Sequence, residues 1–205
     1  MTAGQTGHGR ASIRGALPLA ALAWLAAVPL GLAPGLGTAI TAELGLGAWA
    51  SAAAIGLYAL GALAALVAIW KFPPADPATP LRTGTQIAAS GALLLCIASF
   101  EGVTPLLGVS GLIAIGSGLV AVFPLALSVA ARAARATGAP LRTFTAITGA
   151  HVVAVVGGSP LLMLAGLVVS PILAGGLLTG ACSVVVGIYG PRTFARSPGP
   201  RPTAT

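Results

Sequence analysis

One folding of this 205-residue chain places all ten of its Lys and Arg residues on the same side of a bilayer. Arg10 and Arg14 precede the first long apolar stretch. Lys71 and Arg82 separate the second from the third. Arg132, Arg135 and Arg142 separate the fourth from the fifth, and Arg192, Arg196 and Arg201 follow the sixth. The three intervening connections carry no basic residue. Basic residues are retained on the cytoplasmic face during insertion, so the pattern predicts an all-α bundle of six transmembrane helices with both termini cytoplasmic.

Composition agrees. The chain is 57% hydrophobic and only 6% charged, with a mean hydropathy of +1.00, too few charged groups to cover a water-soluble domain. The net charge of +7 does not point to nucleic acid. The basic residues fall in pairs and triplets between apolar runs instead of forming a solvated patch with stacking aromatics. Their expected partner is the lipid bilayer of the plasma (inner) membrane, through cytoplasmic anchoring and attraction to anionic lipid. Cys96 and Cys182 both fall inside apolar spans as packing residues, and no ligand spacing is present, so neither a metal nor a cofactor is expected. The first apolar run is long for a signal peptide and is read as a retained helix.

Residues 1–15 read as a disordered cytoplasmic tail, 16–190 as the bundle, and 191–205 as a second disordered cytoplasmic tail. The expected spans are 17–36, 49–70, 84–100, 103–131, a fifth starting near 141, and 167–189. Pro18, Pro29 and Pro34 predict a kink or break near the outer end of the first span, and Pro124 lies inside the fourth. The fifth ends at Gly157-Gly158-Ser159-Pro160 or a turn later. Trp49 and Trp70 bracket the second as interfacial anchors. Pro73, Pro74, Pro77 and Pro80 make the following connection a stiff non-helical loop. Glu43 and Glu101 fall at the outer edge and Asp76 in that inner loop, so no carboxylate or basic group lies near mid-membrane. Gly56, Gly61, Gly116, Gly118, Gly175 and Gly176 predict close helix contacts, because packing drives association in lipid.

His151 is the one ionisable group deep in a span apart from the two thiols, and an intramembrane ionisable residue is a functional candidate by default. On a helix it shares a face with Thr148 and Ser159, a polar stripe that suits a water-filled path or a solute cavity. A neutral imidazole bonded to a neighbouring helix is the packing alternative, and the stripe alone leaves both open.

Two resemblances follow. Gly108-Val109-Ser110-Gly111 with Gly149-Ala150-His151 resembles the GxSG and AH motifs of rhomboid intramembrane proteases, which implies an activated Ser110. In that family another helix separates the two motif helices, and residues 132–149 are too few to supply one. More broadly, residues 17–190 resemble one six-helix half of a major facilitator superfamily transporter, closest to the C-terminal half. Gly116 to Arg132, with Pro124 mid-helix, is similar to the fourth helix of such a half. Thr145 to Leu162, with its Gly-Pro segment, is similar to the fifth, and Ala52 to Trp70 to the second. The loop around Asp76 lacks the family's intact run of Gly, Asp and basic residues.

The major facilitator resemblance implies a non-enzymatic permease that moves a small-molecule solute by alternating access. It also implies a second six-helix half, supplied by a homodimer or a partner chain. His151 is the expected solute-binding or proton-responsive group, with Thr148, Ser117 and Tyr58 lining the path. Without mid-membrane carboxylates, efflux of a neutral or amphiphilic solute is the better expectation. The alternatives are a non-transporting scaffold subunit and the rhomboid-like serine protease.

Overall fold

In lipid every backbone amide needs a partner within the protein, which leaves an apolar chain of this kind the helix. The computed structural model describes the backbone of residues 5–44, 49–72, 76, 78–100, 105–137 and 140–195, and side chains over 16–40, 49, 52–72, 76, 78–100, 106–131 and 141–194. Among these residues there is no strand. The helices are α1 (Gln5–Leu44), α2 (Ala50–Lys71), α3 (Ala78–Ala98), α4 (Pro105–Leu119), α5 (Val122–Thr137), α6 (Pro140–Ala165) and α7 (Pro171–Ala195). They supply six stretches long and apolar enough to cross a membrane: Ala16–Ile40, Ala52–Lys71, Ala78–Ala98, Leu106–Ala131, Leu141–Ala165 and Pro171–Phe194. The arrangement is that of a multi-pass helical membrane protein. Glu101, Arg196, Arg201 and the tail beyond 195 lie outside the described residues.

Several boundaries differ from the sequence expectation. Helix α1 already begins at Gln5, inside the segment expected to be disordered, because extending an existing helix fixes one residue per hydrogen bond and needs no new nucleus. Helix α7 runs through Pro191 to Ala195, held by Phe194, whose ring is buried in the core. Helix α3 starts six residues early. Asp76 Oδ1 accepts a hydrogen bond from the Ala78 amide at 2.9 Å, a side-chain cap on the orphan donors, and Pro80 falls in the first turn, where its missing N–H costs nothing.

The prolines sort differently from expectation. Span 1 neither breaks nor ends at Pro29 or Pro34; α1 continues to Leu44. It is the most enclosed span, 61% of its apolar window buried against 17% for α2 and 22% for α6. Neighbours also bond its backbone: Ser159 Oγ donates to the Gly31 carbonyl at 3.0 Å. Thr38 Oγ1 donates to the Pro34 carbonyl at 3.1 Å. Pro124, by contrast, breaks span 4. It has no N–H for the Val120 carbonyl, and its ring occupies that carbonyl's position, so residues 120–121 form a turn and α5 starts anew at Val122.

Glycine sets the closest contacts, as expected for packing in lipid. A side-chain carbon added at Gly91 on α3 would lie 2.7 Å from the Gly111 carbonyl oxygen on α4, and one at Gly111 would lie 2.8 Å from that of Gly91. Gly31 on α1 meets the Ala154 and Val155 carbonyls and Gly158 on α6; Gly116 on α4 meets the Tyr58 backbone on α2. Gly56 has nothing near it. Helices α3 and α7 run antiparallel in register, with Leu81 on Gly190, Thr85 on Gly187 and Cys96 on Gly176. Leu36 meets Gly175 where α1 packs on α7, and Gly31 and Gly35 on Gly158 and Leu162 set α1 parallel to α6. These registers bring Arg82, Arg142 and Arg192 to one end of the bundle, called the basic end below. Lys71, joined to α3 by a short connection, sits there too.

The helix pairings carry a symmetry that the sequence does not display. Span 1 packs on span 5 (α1 on α6) as span 4 packs on span 2 (α4 on α2). Span 1 packs on span 6 (α1 on α7) as span 4 packs on span 3 (α4 on α3), and α1 on α2 matches α5 on α6. Spans 3 and 6 pack on each other, as do 1 and 4. Exchanging spans 1–3 with spans 4–6 thus maps these pairings onto one another; the one pairing without a counterpart is α6 on α7, since α2 has no comparable packing on α3. Successive spans alternate in direction, so the two triplets have opposite topology.

Candidate functional site

Helix α6 places His151 ten residues from the Leu141 end of its span, and span 4 places Phe123 eight residues from its Ala131 end. At 1.5 Å per residue both lie about 12–15 Å in from the basic end, near the membrane's middle. The rings meet there: centroids are 4.1 Å apart and planes 32° from parallel. The imidazole hydrogen-bonds to the backbone of Ala23 on α1, the contact expected of a packed neutral ring, while its Nδ1 is buried with no hydrogen-bond partner. A buried nitrogen without a partner forfeits on the order of 1–3 kcal/mol, a deficit that a solute or water reaching it would remove. The site adjoins the turn at residues 120–121, where Pro124 denies the Val120 carbonyl its helical donor while the Ala121 carbonyl accepts from the Leu125 amide at 3.1 Å. An ionisable side chain, an aromatic face and a helix break therefore meet at one depth, where α1, α5 and α6 converge.

The other predicted path residues separate. Thr148 is exposed on the flank of α6, one turn from His151, and Ser159 on the same flank is spent on Gly31. The polar stripe thus divides into one contact that ties α6 to α1 and one hydroxyl on the surface. Tyr58 is only 6% exposed and belongs to the core. Ser117 donates back to the Ala114 carbonyl at 2.9 Å and lies at the close approach of Gly61 to α4. Tyr58 and Ser117 therefore belong to the α2–α4 contact, not to the His151 locus.

Ser110 is exposed near the opposite end of span 4, four residues from Leu106. Its level and that of His151 differ by roughly 15 Å. The imidazole is occupied by Phe123, and α4 has no substantial packing with α6. This geometry does not make His151 a base for Ser110.

Two residues escape the sequence reading. Phe123, beside the helix-breaking Pro124, closes over His151. Thr179 on α7 is fully buried, and its Oγ1 has no partner. Its neighbours satisfy themselves: Ser183 Oγ donates to the Thr179 carbonyl at 2.8 Å and Thr85 Oγ1 to the Leu81 carbonyl at 2.9 Å. Thr179, Cys182 and Ser183 share one face of α7, and that spacing is the signal that could have marked them. Cys96 and Cys182 are free thiols, and the described residues hold no group of three potential metal ligands. No protein family, curated protein or solved structure matches the chain.

Proposed function

We propose that the chain is one six-helix half of a transporter of the major facilitator type, completed by a second copy of itself, that moves a small neutral or amphiphilic solute across the plasma membrane. The observation that carries the reading is the exchange of helix pairings between two oppositely directed triplets, the internal plan on which such halves are built. His151 supports it, because a buried nitrogen without a partner at a helix break is the kind of group that meets a solute. With both termini cytoplasmic, as the basic residues favour, His151 stands near mid-membrane and somewhat to the cytoplasmic side. The solute docks there against Phe123, and alternating access comes from one bundle rocking on the other.

The test is flux in proteoliposomes with a panel of small neutral and amphiphilic fluorescent dyes. Wild-type protein should move at least one dye well above protein-free vesicles. His151→Ala should cut that flux at least tenfold while thermal unfolding in detergent stays cooperative. A wild type that moves none of the panel defeats transport of this class. A His151→Ala protein with wild-type flux removes the residue from the path.

A further inference from the structure

Span 4 changes partners at its break. Helix α4 is fixed to α2 and α3 by backbone contacts at Gly111, Gly116 and Gly118. Helix α5 packs instead on α1 and α6. Its buried face is Val122, Ala126, Val129 and Ala130, short side chains with no glycine contact to a neighbour. Among its described side chains the polar one, Ser128, bonds to the Leu125 carbonyl of its own helix. The two halves of the span are therefore held very differently, and residues 120–121 join them outside either helix. Phe123, in the first turn of α5, is the piece that lies on His151.

We infer that α5 is a gate over His151, hinged at Val120–Ala121 and latched by Phe123 on the imidazole. In the closed arrangement of this structure the His151 Nδ1 is buried without a partner. Swinging α5 out about the hinge lifts Phe123 away and opens His151 toward the basic end, where water or solute supplies the missing hydrogen bond. Pro124 maintains the hinge by denying Val120 its helical donor. Closure is favoured by the ring contact and the buried face of α5, opening by relief of the buried nitrogen. The gate's use rests on the transport reading. Its motion does not, and it is measured without any solute.

Spin labels at Ser128→Cys on α5 and Val184→Cys on α7, with both native cysteines replaced by alanine and the labelled chain diluted into unlabelled cysteine-free protein, report the motion by pulsed electron double resonance in lipid nanodiscs. Leu93→Cys on α3 with Val184→Cys is the control pair, because both helices belong to the glycine-packed group. The expected result is a two-component distance distribution for the α5 pair and a single narrow one for the control. Pro124→Ala should collapse the α5 distribution to one component. Phe123→Ala should raise the open-to-closed ratio two- to tenfold, the range of one aromatic contact, and Phe123→Leu by less. An α5 pair as narrow as the control overturns the gate, and so does a Pro124→Ala distribution as broad as wild type. A fixed α5 in a protein that still needs His151 for flux would defeat the gate and leave the transport reading standing.

Discussion

Spans 1 and 4 hold equivalent places in the two triplets and treat proline in opposite ways. Span 1 carries Pro18, Pro29 and Pro34 and remains one helix; span 4 carries Pro124 and becomes two. Residue type cannot explain this, since span 1 has more of the helix breaker. Surroundings explain it. Span 1 is enclosed by α2, α5, α6 and α7, and its backbone is bonded by Ser159 from α6 and by Thr38 from its own next turn. The half of span 4 that contains Pro124 leans on two helices, through Val122, Ala126, Val129 and Ala130 with Phe123, Leu125 and Leu127 half-buried beside them. The groups freed are the Leu25 and Leu30 carbonyls in span 1 and the Val120 carbonyl in span 4; the bonds from Ser159 and Thr38 brace span 1 beside its freed groups, and α6 likewise runs through Pro160 unbroken.

The strongest challenge to this comparison is steric. Gly31→Val on span 1 and Gly116→Val on span 4 both drive a side chain into a neighbouring backbone, at α6 and α2 respectively. Each should cost at least the ~1–3 kcal/mol of ordinary overpacking, read as loss of thermal stability in detergent. Similar losses support the equivalence of the two contacts; a large loss at one and none at the other breaks it. Next comes the support of span 1. Ser159→Ala removes its inter-helix hydrogen bond, worth about 0.6–1.7 kcal/mol in membrane proteins, and amide exchange around Pro34 should speed up while α4 stays unchanged. Equal acceleration in both spans would mean that Ser159 is not what protects α1.

Thr179→Val keeps the shape and deletes an unpartnered buried hydroxyl, so it should stabilise the fold by about 1 kcal/mol. A loss of stability would show that the hydroxyl has a partner. The smallest effect belongs to Gly56→Ala. Nothing lies near Gly56, so the exchange should gain no more than the ~0.5–1 kcal/mol of helix propensity in Ala over Gly. A destabilised Gly56→Ala would place an unseen neighbour on α2, as a partner copy would be.

The span count and the role of glycine were legible in the sequence, because hydropathy and basic residues act locally and independently. Gly61, Gly116, Gly118, Gly175 and Gly176 do mediate contacts; Gly56, of the same type and in the same kind of context, does not. The fate of each proline was not legible, since Pro29, Pro34 and Pro160 run inside helices while Pro124 stands at a break, and the residue type is the same in all four. His151 stands out by cost alone, since few ionisable groups survive inside a bilayer. Tyr58 and Ser117 were read as path-lining because they are polar, but both sit at the glycine contact of α2 with α4. The unsatisfied Thr179 hydroxyl looked like any helix threonine, whose hydroxyl ordinarily back-bonds to its own helix.

The central claim is that this bundle is half of a working unit. The mass of the purified protein in mild detergent, by light scattering with the detergent contribution subtracted, tests that claim most directly. A dimer, with twice the chain mass of 19.8 kDa, is the predicted result. A single copy at every concentration, in protein that still moves solute in vesicles, would contradict it.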